Sequence, residues 1–148
     1  MKKEWIKNWF SNMLPMDEPY IYQEIAYLTS ENYYQAMKLR EDQIDSREKF
    51  SNMTPQKAKR EIRKYDIRPD WNDKMKLEVM ERILTFKFVL GTTWADKLLA
   101  TGDAEIVENN NWKDTYWGYD VLLMKGENHL GKILMKIRNE LKLEKALN

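Results

Sequence analysis

In the stretch "SENYYQAMK" a carboxylate, Glu31, stands seven residues before an amine, Lys38, with Gln35 between them. Seven residues are about two turns of an α-helix, so a helix here projects both side chains from one face, the amide between them. A carboxylate can move protons, and an amine stripped of water beside an apolar wall loses its proton and becomes a nucleophile. The same spacing also describes a solvated face, with Glu31 favoured by the dipole of a first helical turn and Lys38 pairing with Asp42. A second polar set lies further along. Asp114 precedes Trp117 and Gly118 in a polar, turn-rich segment, and Asn128 stands in "GENHLGK" before a last helical pattern. Asp114 reads equally as a turn former and Asn128 as a helix cap. Trp112, Tyr116 and Trp117 crowd the same segment, either to pack or to stack on a planar ligand, and Gly126 and Gly131 permit a ligand to approach the backbone.

These residues belong to a chain of 148, with 43% hydrophobic and 33% charged residues, which fits a globular protein and excludes a disordered tail. The net charge of +1 announces no large nucleic-acid surface. The basic run "KAKREIRK", Lys57 to Lys64, reads as a solvated helix face. There is no cysteine and one histidine, His129, so disulfides, thiol catalysis and Cys/His zinc sites are excluded. The carboxylates are scattered, and neither a metal nor a cofactor is expected. The N-terminus "MKKEWIKNWF" is too polar for a signal peptide, and no run of roughly 18 apolar residues occurs, so a cytoplasmic protein without a membrane partner is expected.

No repeat or flexible linker divides the chain, so residues 1–148 read as a single compact domain. Pro15 and Pro19 keep the first 30 residues out of helix. "YIYQEIAYLT" reads as a strand or hairpin, and a helix capped by Ser30 runs to about Asp42, burying Tyr34, Met37 and Ile44. Thr54 and Pro55 start a second helix, and Asp70 caps a long one whose Met75, Val79, Met80, Ile83, Leu84, Phe86 and Phe88 form the central apolar face. Gly91 ends it. "TTWADKLLATG" gives a short helix closed by Gly102, and "AEIVEN" a strand. A final helix, Asn128 to about Leu143, buries Leu130, Ile133, Leu134, Ile137 and Leu141. The fold class is α+β, mostly helical, with a small sheet.

Taken in order, "FSNM" (Phe10 to Met13), "SENYYQAMK", "TPQKAKR", "DWNDKMKLEVM", "LLATGDAEIVE", "DTYWG" and "GENHLGKILMKIR" resemble the successive motifs of the NADAR family, over about residues 10–143. That is the family of NAD- and ADP-ribose-associated domains, also described as N-glycosidases of riboflavin-pathway intermediates. The resemblance implies a mostly helical α+β domain that hydrolyses the N-glycosidic bond between a ribose and a base-like nitrogen. It places the family's essential glutamate on Glu31, its motif-closing lysine on Lys38, its aspartate before Trp-Gly on Asp114, and its asparagine before Leu-Gly on Asn128. Glu31, Lys38 and Asp114 are thus the expected catalytic residues. Phe10, Asn12, Gln35, Arg60, Arg63, Trp117, Gly118 and Asn128 are the expected substrate-binding ones. The chain departs from the family pattern at Asn32, usually histidine, at Ile62, usually glycine, and in an unusually apolar "YDVLLMKGEN" after Trp117-Gly118.

Two substrates follow from the resemblance: ADP-ribosylated guanine in DNA, which is preferred here, and phosphorylated ribosylaminopyrimidines, a nucleotide-like small molecule. A non-catalytic ADP-ribose or nucleic-acid binding module is the reading from another class, and the presence of both Glu31 and Lys38 counts against it. In the enzyme, Glu31 guides a water or shuttles a proton, while Lys38 either forms an imine with the opened sugar or binds a phosphate.

Overall fold

The computed structural model describes residues 3–5, by their backbone, and residues 11–148. In chain order the elements are β1 (Lys3–Trp5), β2 (Pro15–Tyr22), β3 (Ile25–Thr29), α1 (Ser30–Ala36), α2 (Ile44–Ser51), α3 (Pro55–Glu61), α4 (Asp73–Lys87), α5 (Thr93–Leu99), β4 (Glu105–Val107), β5 (Asn109–Asn110), β6 (Tyr119–Asp120) and α6 (His129–Leu147). This is the mostly helical α+β class. Among the described residues the strand content is split into three two-stranded ladders: β1 with β4 and β5 with β6, both parallel, and β2 with β3, antiparallel. The chain's contacts gather into two compact units, residues 12–87, and residues 1–11 together with 88–148.

The unit of residues 12–87 begins with the β2–β3 hairpin, closed at Tyr22↔Ile25. Its two turn residues, Gln23 and Glu24, hold φ of 53° and 62°, a geometry usually given to Asn-Gly. Side-chain bonds fasten it in place of glycine: Gln23 donates to the Glu41 carbonyl (3.1 Å) and accepts from Nη1 of the buried Arg47 (2.7 Å). Tyr33 of α1 is wholly buried and meets Tyr20, Tyr22 and Tyr27 edge-on at 5.0, 5.9 and 5.4 Å. Much of the tyrosine content is therefore core packing around one ring.

The helix boundaries correct the sequence in three places. Thr29, not Ser30, caps α1, its Oγ1 accepting from the Asn32 amide at 3.0 Å. Ser30 lies inside the helix, where its hydroxyl donates to Asn12 Oδ1 (2.7 Å). α1 ends at Ala36 rather than near Asp42: the amides of Lys38 and Leu39 tighten onto the carbonyls three residues back, Gln35 (3.2 Å) and Ala36 (3.1 Å), and beyond that turn the Lys38 and Leu39 carbonyls accept from the Arg68 amide (2.9 Å) and Arg47 Nη2 (2.8 Å). Ile44 opens α2 and is 38% exposed instead of lining α1. Thr54 caps α3 as expected (3.2 Å to the Lys57 amide). Asn72 takes the cap role expected of Asp70, accepting from Met75 N at 2.9 Å, while Asp70 pairs with Arg68. Val79, Met80, Ile83 and Leu84 of α4 are buried as their period requires.

In the other unit, α6 lays Leu130, Ile133, Leu134, Ile137 and Leu141 inward, all buried, as their spacing requires. Ile106 and Val107 of β4 and Leu98 of α5 are buried in the same unit. Arg138 closes it by donating to Thr101 Oγ1 and the Ala104 carbonyl, each at 2.8 Å. Gly102 holds positive φ just past the end of α5, whereas α4 stops at Lys87, ahead of Gly91, which holds positive φ in the turn before α5.

Candidate active site

Glu31 lies in the first turn of α1, but it is only 7% exposed, so it is not a solvated dipole-facing acid. Its Oε1 accepts from Gln35 Nε2 at 2.9 Å, one turn along the helix. Burial pushes the carboxyl pKa up; the amide hydrogen bond and the charges of Lys59 and Lys38 pull the other way. Gln35 is itself buried, at 4% exposure.

Lys38 sits in the turn just past α1, half-buried, with Nζ 5.0 Å from the centre of the Tyr34 ring. Burial pushes its pKa down, Glu31 opposes that, and the charges of Lys76, Lys59 and Arg63 push it further down. The pairing with Asp42 open to the sequence does not form, since Asp42 meets Arg40 at 3.3 Å. Among the described residues neither Glu31 nor Lys38 enters an ion pair. The result is a carboxyl that resists ionising and an amine that gives up its proton easily, carried by one short helix and the turn after it.

Asn12 belongs to this group through Ser30 and through its carbonyl, which accepts the Glu31 amide at 3.1 Å. Arg63 acts on Lys38; Arg60 is exposed on α3 and is not among the charges acting on either group. Phe10 lies outside the described residues.

The remaining expected residues lie in the other unit. Asp114 Oδ1 accepts from the amides of Tyr116 (3.2 Å) and Trp117 (2.9 Å), the hydrogen bonding of a turn former. Trp117 is half-buried, edge-on to Tyr116 at 5.0 Å, and Tyr116 lies 4.4 Å from the His129 ring, while Trp112 stands 64% exposed. Asn128 stands at the N-cap position of α6, but its side chain makes no cap bond to the helix. It holds φ of 53°, accepts the Glu108 amide at 3.0 Å and donates to the Ile106 carbonyl at 2.9 Å, tying the helix start to β4. The glycines read as ligand approaches are places where backbone meets backbone. A Cβ on Gly131 would strike the Ile106 carbonyl, one on Gly126 the Gly118 carbonyl, and one on Gly118 the Glu108 carbonyl.

Comparison with known proteins bears on the family of the whole chain. The family model described as the NADAR domain matches residues 1–142. The chain belongs to the NADAR family. Among relatives, a riboflavin biosynthesis protein of Vibrio vulnificus is 39% identical over 115 residues, covering 76% of this chain and 30% of that protein. The chain thus spans under a third of that relative's length. The N-glycosidase YbiA of Escherichia coli is 36% identical over 119 residues, covering 79% of this chain and 72% of YbiA. An N-glycosidase of Nostoc punctiforme is 34% identical over 128 residues (81% and 78%). The NMR structure of E. coli YbiA superposes with a TM-score of 0.79 at 31% identity, covering 100% of this chain and 90% of that one.

Within this NADAR chain the departures acquire physical content. Asn32 replaces the usual histidine with an amide that donates to the carbonyls of Phe50 (2.8 Å) and Met53 (2.9 Å) and accepts from Thr29 Oγ1. It is a buried brace between α1 and the end of α2, with its polar atoms engaged. Ile62 is buried, 4% exposed, at the turn after α3. Lys59 and Lys76 were not singled out in the sequence. Lys59 had a weak signal, standing four residues before Arg63; Lys76 had none, because α4 reaches α1 only through the tertiary fold. Among the described residues no group of three or more acidic or histidine side chains is poised to hold a metal, and no helix is long and apolar enough to cross a membrane.

Proposed function

We propose that the protein is an N-glycosidase that hydrolyses the C–N bond between a phosphorylated ribose and a base-like nitrogen. The observation that carries this reading is the pair on α1 and its turn: Glu31, whose burial favours the protonated acid, and Lys38, whose burial favours the free amine. Cleavage places positive charge on the ribose and negative charge on the leaving nitrogen, so a proton donor beside an amine nucleophile matches the demand. The lone pair of Lys38 Nζ attacks the anomeric carbon. The C–N bond breaks with its electron pair on the base nitrogen, which takes the proton held at Glu31. The attacking amine gives one proton to the Glu31 carboxylate, which passes it to the ring oxygen as the sugar opens, leaving a protonated imine between Lys38 and C1′; water, deprotonated by Glu31, adds to C1′, and collapse of the adduct releases free sugar and free amine. The family motif assigns Asp114 a catalytic role and Trp117 and Asn128 substrate-binding ones; the backbone bonds of Asp114 and Asn128 favour positioning of their own loop and helix.

Lys59, Arg63 and Lys76 gather positive charge about Lys38, which suits the phosphoryl group that both candidate substrates carry on the ribose. ADP-ribosylated guanine in DNA is the substrate preferred among those the family resemblance implies. The name of the Vibrio relative, a riboflavin biosynthesis protein, favours the second reading, a ribosylaminopyrimidine phosphate.

The test is mass spectrometry of ADP-ribosylated guanine DNA, and separately of ribosylaminopyrimidine phosphate, after incubation with wild type, Glu31→Gln and Lys38→Ala. Wild type releases the sugar from one of them, and each variant loses roughly 10²-fold or more of that rate. Borohydride traps a sugar adduct on the wild type and none on Lys38→Ala. Wild type inert toward both substrates refutes the glycosidase.

A further inference from the structure

The apolar stretch after Trp117-Gly118, which departs from the family pattern, forms an arch that the proposed chemistry does not use. Asp120 and Lys125 close it, the Asp120 amide donating to the Lys125 carbonyl (2.9 Å) and the Lys125 amide to the Asp120 carbonyl (3.4 Å). The residues between them are Val121, Leu122, Leu123 and Met124, all exposed, Leu122 and Met124 to 75% and 76%. None of these side chains carries a hydrogen-bond donor for the water they face. The exposed Trp112 joins them, because the buried Asn110 binds both segments: its carbonyl takes the Val121 amide (2.9 Å) and its side-chain oxygen the Trp112 amide (3.3 Å). The backbone of the arch needs little from water. The Leu122 and Leu123 amides both donate to Asp120 Oδ1, at 2.8 and 2.7 Å, so with Val121 and Lys125 four successive donors are satisfied within the protein. An ordinary surface loop leaves such amides to solvent. Internal acceptors matter where solvent is taken away, since a bare amide in an apolar medium is costly. The arch is apolar outside and already satisfied within.

We propose that this arch docks the protein on an anionic lipid surface, with Leu122, Met124 and Trp112 entering the apolar layer and Lys113 and Lys125 meeting the acidic headgroups. The charges choose this occupant. Lys125 is one foot of the arch, and Lys113 stands beside the other, its amide on Asp120 Oδ2 at 2.7 Å; both lysines are exposed. The acids of the same segment face elsewhere. Asp114 and Asp120 bind backbone amides, and Glu127 lies 3.6 Å from His129. A second copy meeting the arch face to face would bring like-charged lysines together, whereas an acidic surface attracts both. Duplex DNA is also anionic, but an opened base step admits single apolar side chains, and the arch presents a row of them beside a tryptophan. Cationic feet, an aromatic ring and an apolar tip follow the order of groups met from headgroups to acyl chains. Such docking needs neither a spanning helix nor a leader peptide, and the expectation of no membrane partner rests on those alone. It is independent of the glycosidase reading.

The experiment is co-sedimentation of the full chain with vesicles of phosphatidylserine and phosphatidylcholine, and with vesicles of phosphatidylcholine alone. It compares wild type with the double variants Leu122→Ser/Met124→Ser and Lys113→Gln/Lys125→Gln. Wild type sediments with the acidic vesicles, far less with the neutral ones, and added salt weakens the binding. The serine pair lowers the partition coefficient roughly 100-fold, since each apolar side chain kept out of the acyl layer counts for about tenfold. The glutamine pair lowers it roughly 10- to 30-fold and removes the preference for acidic vesicles. Both variants keep the wild-type thermal midpoint, and the glutamine pair decides alone should the serine pair unfold. Wild type left in the supernatant with acidic vesicles overturns the proposal. So does binding that survives the serine pair, which belongs to another basic face such as α3. Two further arms carry the rival occupants: sedimentation velocity across protein concentration, and fluorescence anisotropy of a DNA duplex. Arch-dependent dimers or duplex binding, in place of vesicle binding, overturn the lipid surface in favour of a second copy or of DNA.

Discussion

Glu31 and Asp120 are carboxylates of nearly equal burial, 7% and 1% exposed, and their acidities move in opposite directions. Among the described residues the Glu31 carboxyl has one hydrogen bond, from an amide side chain, and burial drives its pKa up. Asp120 accepts three backbone amides, Leu123 (2.7 Å), Leu122 (2.8 Å) and Lys113 (2.7 Å), and those bonds hold its pKa below the usual carboxylate range against desolvation. Burial alone does not make a reactive acid. The number of fixed donors decides, because each one stabilises the charged form that the apolar surroundings penalise. Asp120 is spent on its loop. Glu31 is left short of donors, and a group left short is the one that can exchange a proton with a substrate.

The comparison is broken most forcefully by removing each carboxylate in turn. Asp120→Ala deletes the acceptor for three amides of the 113–123 loop, and its thermal midpoint falls well below that of wild type. Glu31→Gln keeps the shape and an acceptor for Gln35 while removing the charge, so it is expected to raise the thermal midpoint even as it removes the activity. The two differ in pH dependence. A raised folded pKa gives stability that is present below the unfolded value, about 4.3, and lost as pH rises through the folded one, so the advantage of Glu31→Gln grows toward neutral pH. A lowered folded pKa gives stability present above about 3.9 and lost as pH falls, so the deficit of Asp120→Ala shrinks in acid. Urea midpoints across acid and neutral pH measure both. Movement of the two variants in the same direction would sink the argument from donor number.

Lys87 extends the contrast to a cation. It is 1% exposed at the end of α4, and burial brings its pKa down to about 7. Between that value and the unfolded value of about 10.4 the unfolded chain holds a proton that the folded chain has released. Stability therefore climbs as pH rises through this window and is lowest at neutral pH and below. Lys87→Met should flatten the climb, read as the difference in urea midpoint between the two ends of the window. A slope retained in Lys87→Met assigns it to another group.

What could be read in the sequence divides along the same line. Patterns carried by neighbouring residues were visible: the α6 stripe from Leu130 to Leu141, the Thr54-Pro55 start, and the Glu31–Gln35 spacing. Features decided by distant partners were not. Past the end of α1 the Lys38 and Leu39 carbonyls go to Arg68 and Arg47 instead of continuing the helix toward Asp42, and neither arginine is marked for that by its own neighbourhood. Asn128 looked like a cap, yet its amide binds the β4 backbone some twenty residues earlier in the chain. Gly126 and Gly131 suggested room for a ligand, whereas each makes room for a backbone carbonyl, that of Gly118 and that of Ile106. The Lys59 and Lys76 charges reach Lys38 only once α3 and α4 have packed on α1.

The smallest effect is expected at the tip of the loop that Asp120 holds. Leu122 and Met124 are 75% and 76% exposed, two residues either side of a turn whose amides are fixed from beneath by a carboxylate that is 1% exposed. If the loop is set by those buried bonds, its apolar apex contributes little to folding. Leu122→Ser should then change stability by no more than about 0.5 kcal/mol, as at other exposed sites. Urea unfolding of Leu122→Ser beside Asp120→Ala tests this directly. A loss at Leu122 approaching that at Asp120 would mean the apex is packed in solution, and that donor number at Asp120 is not what fixes the loop.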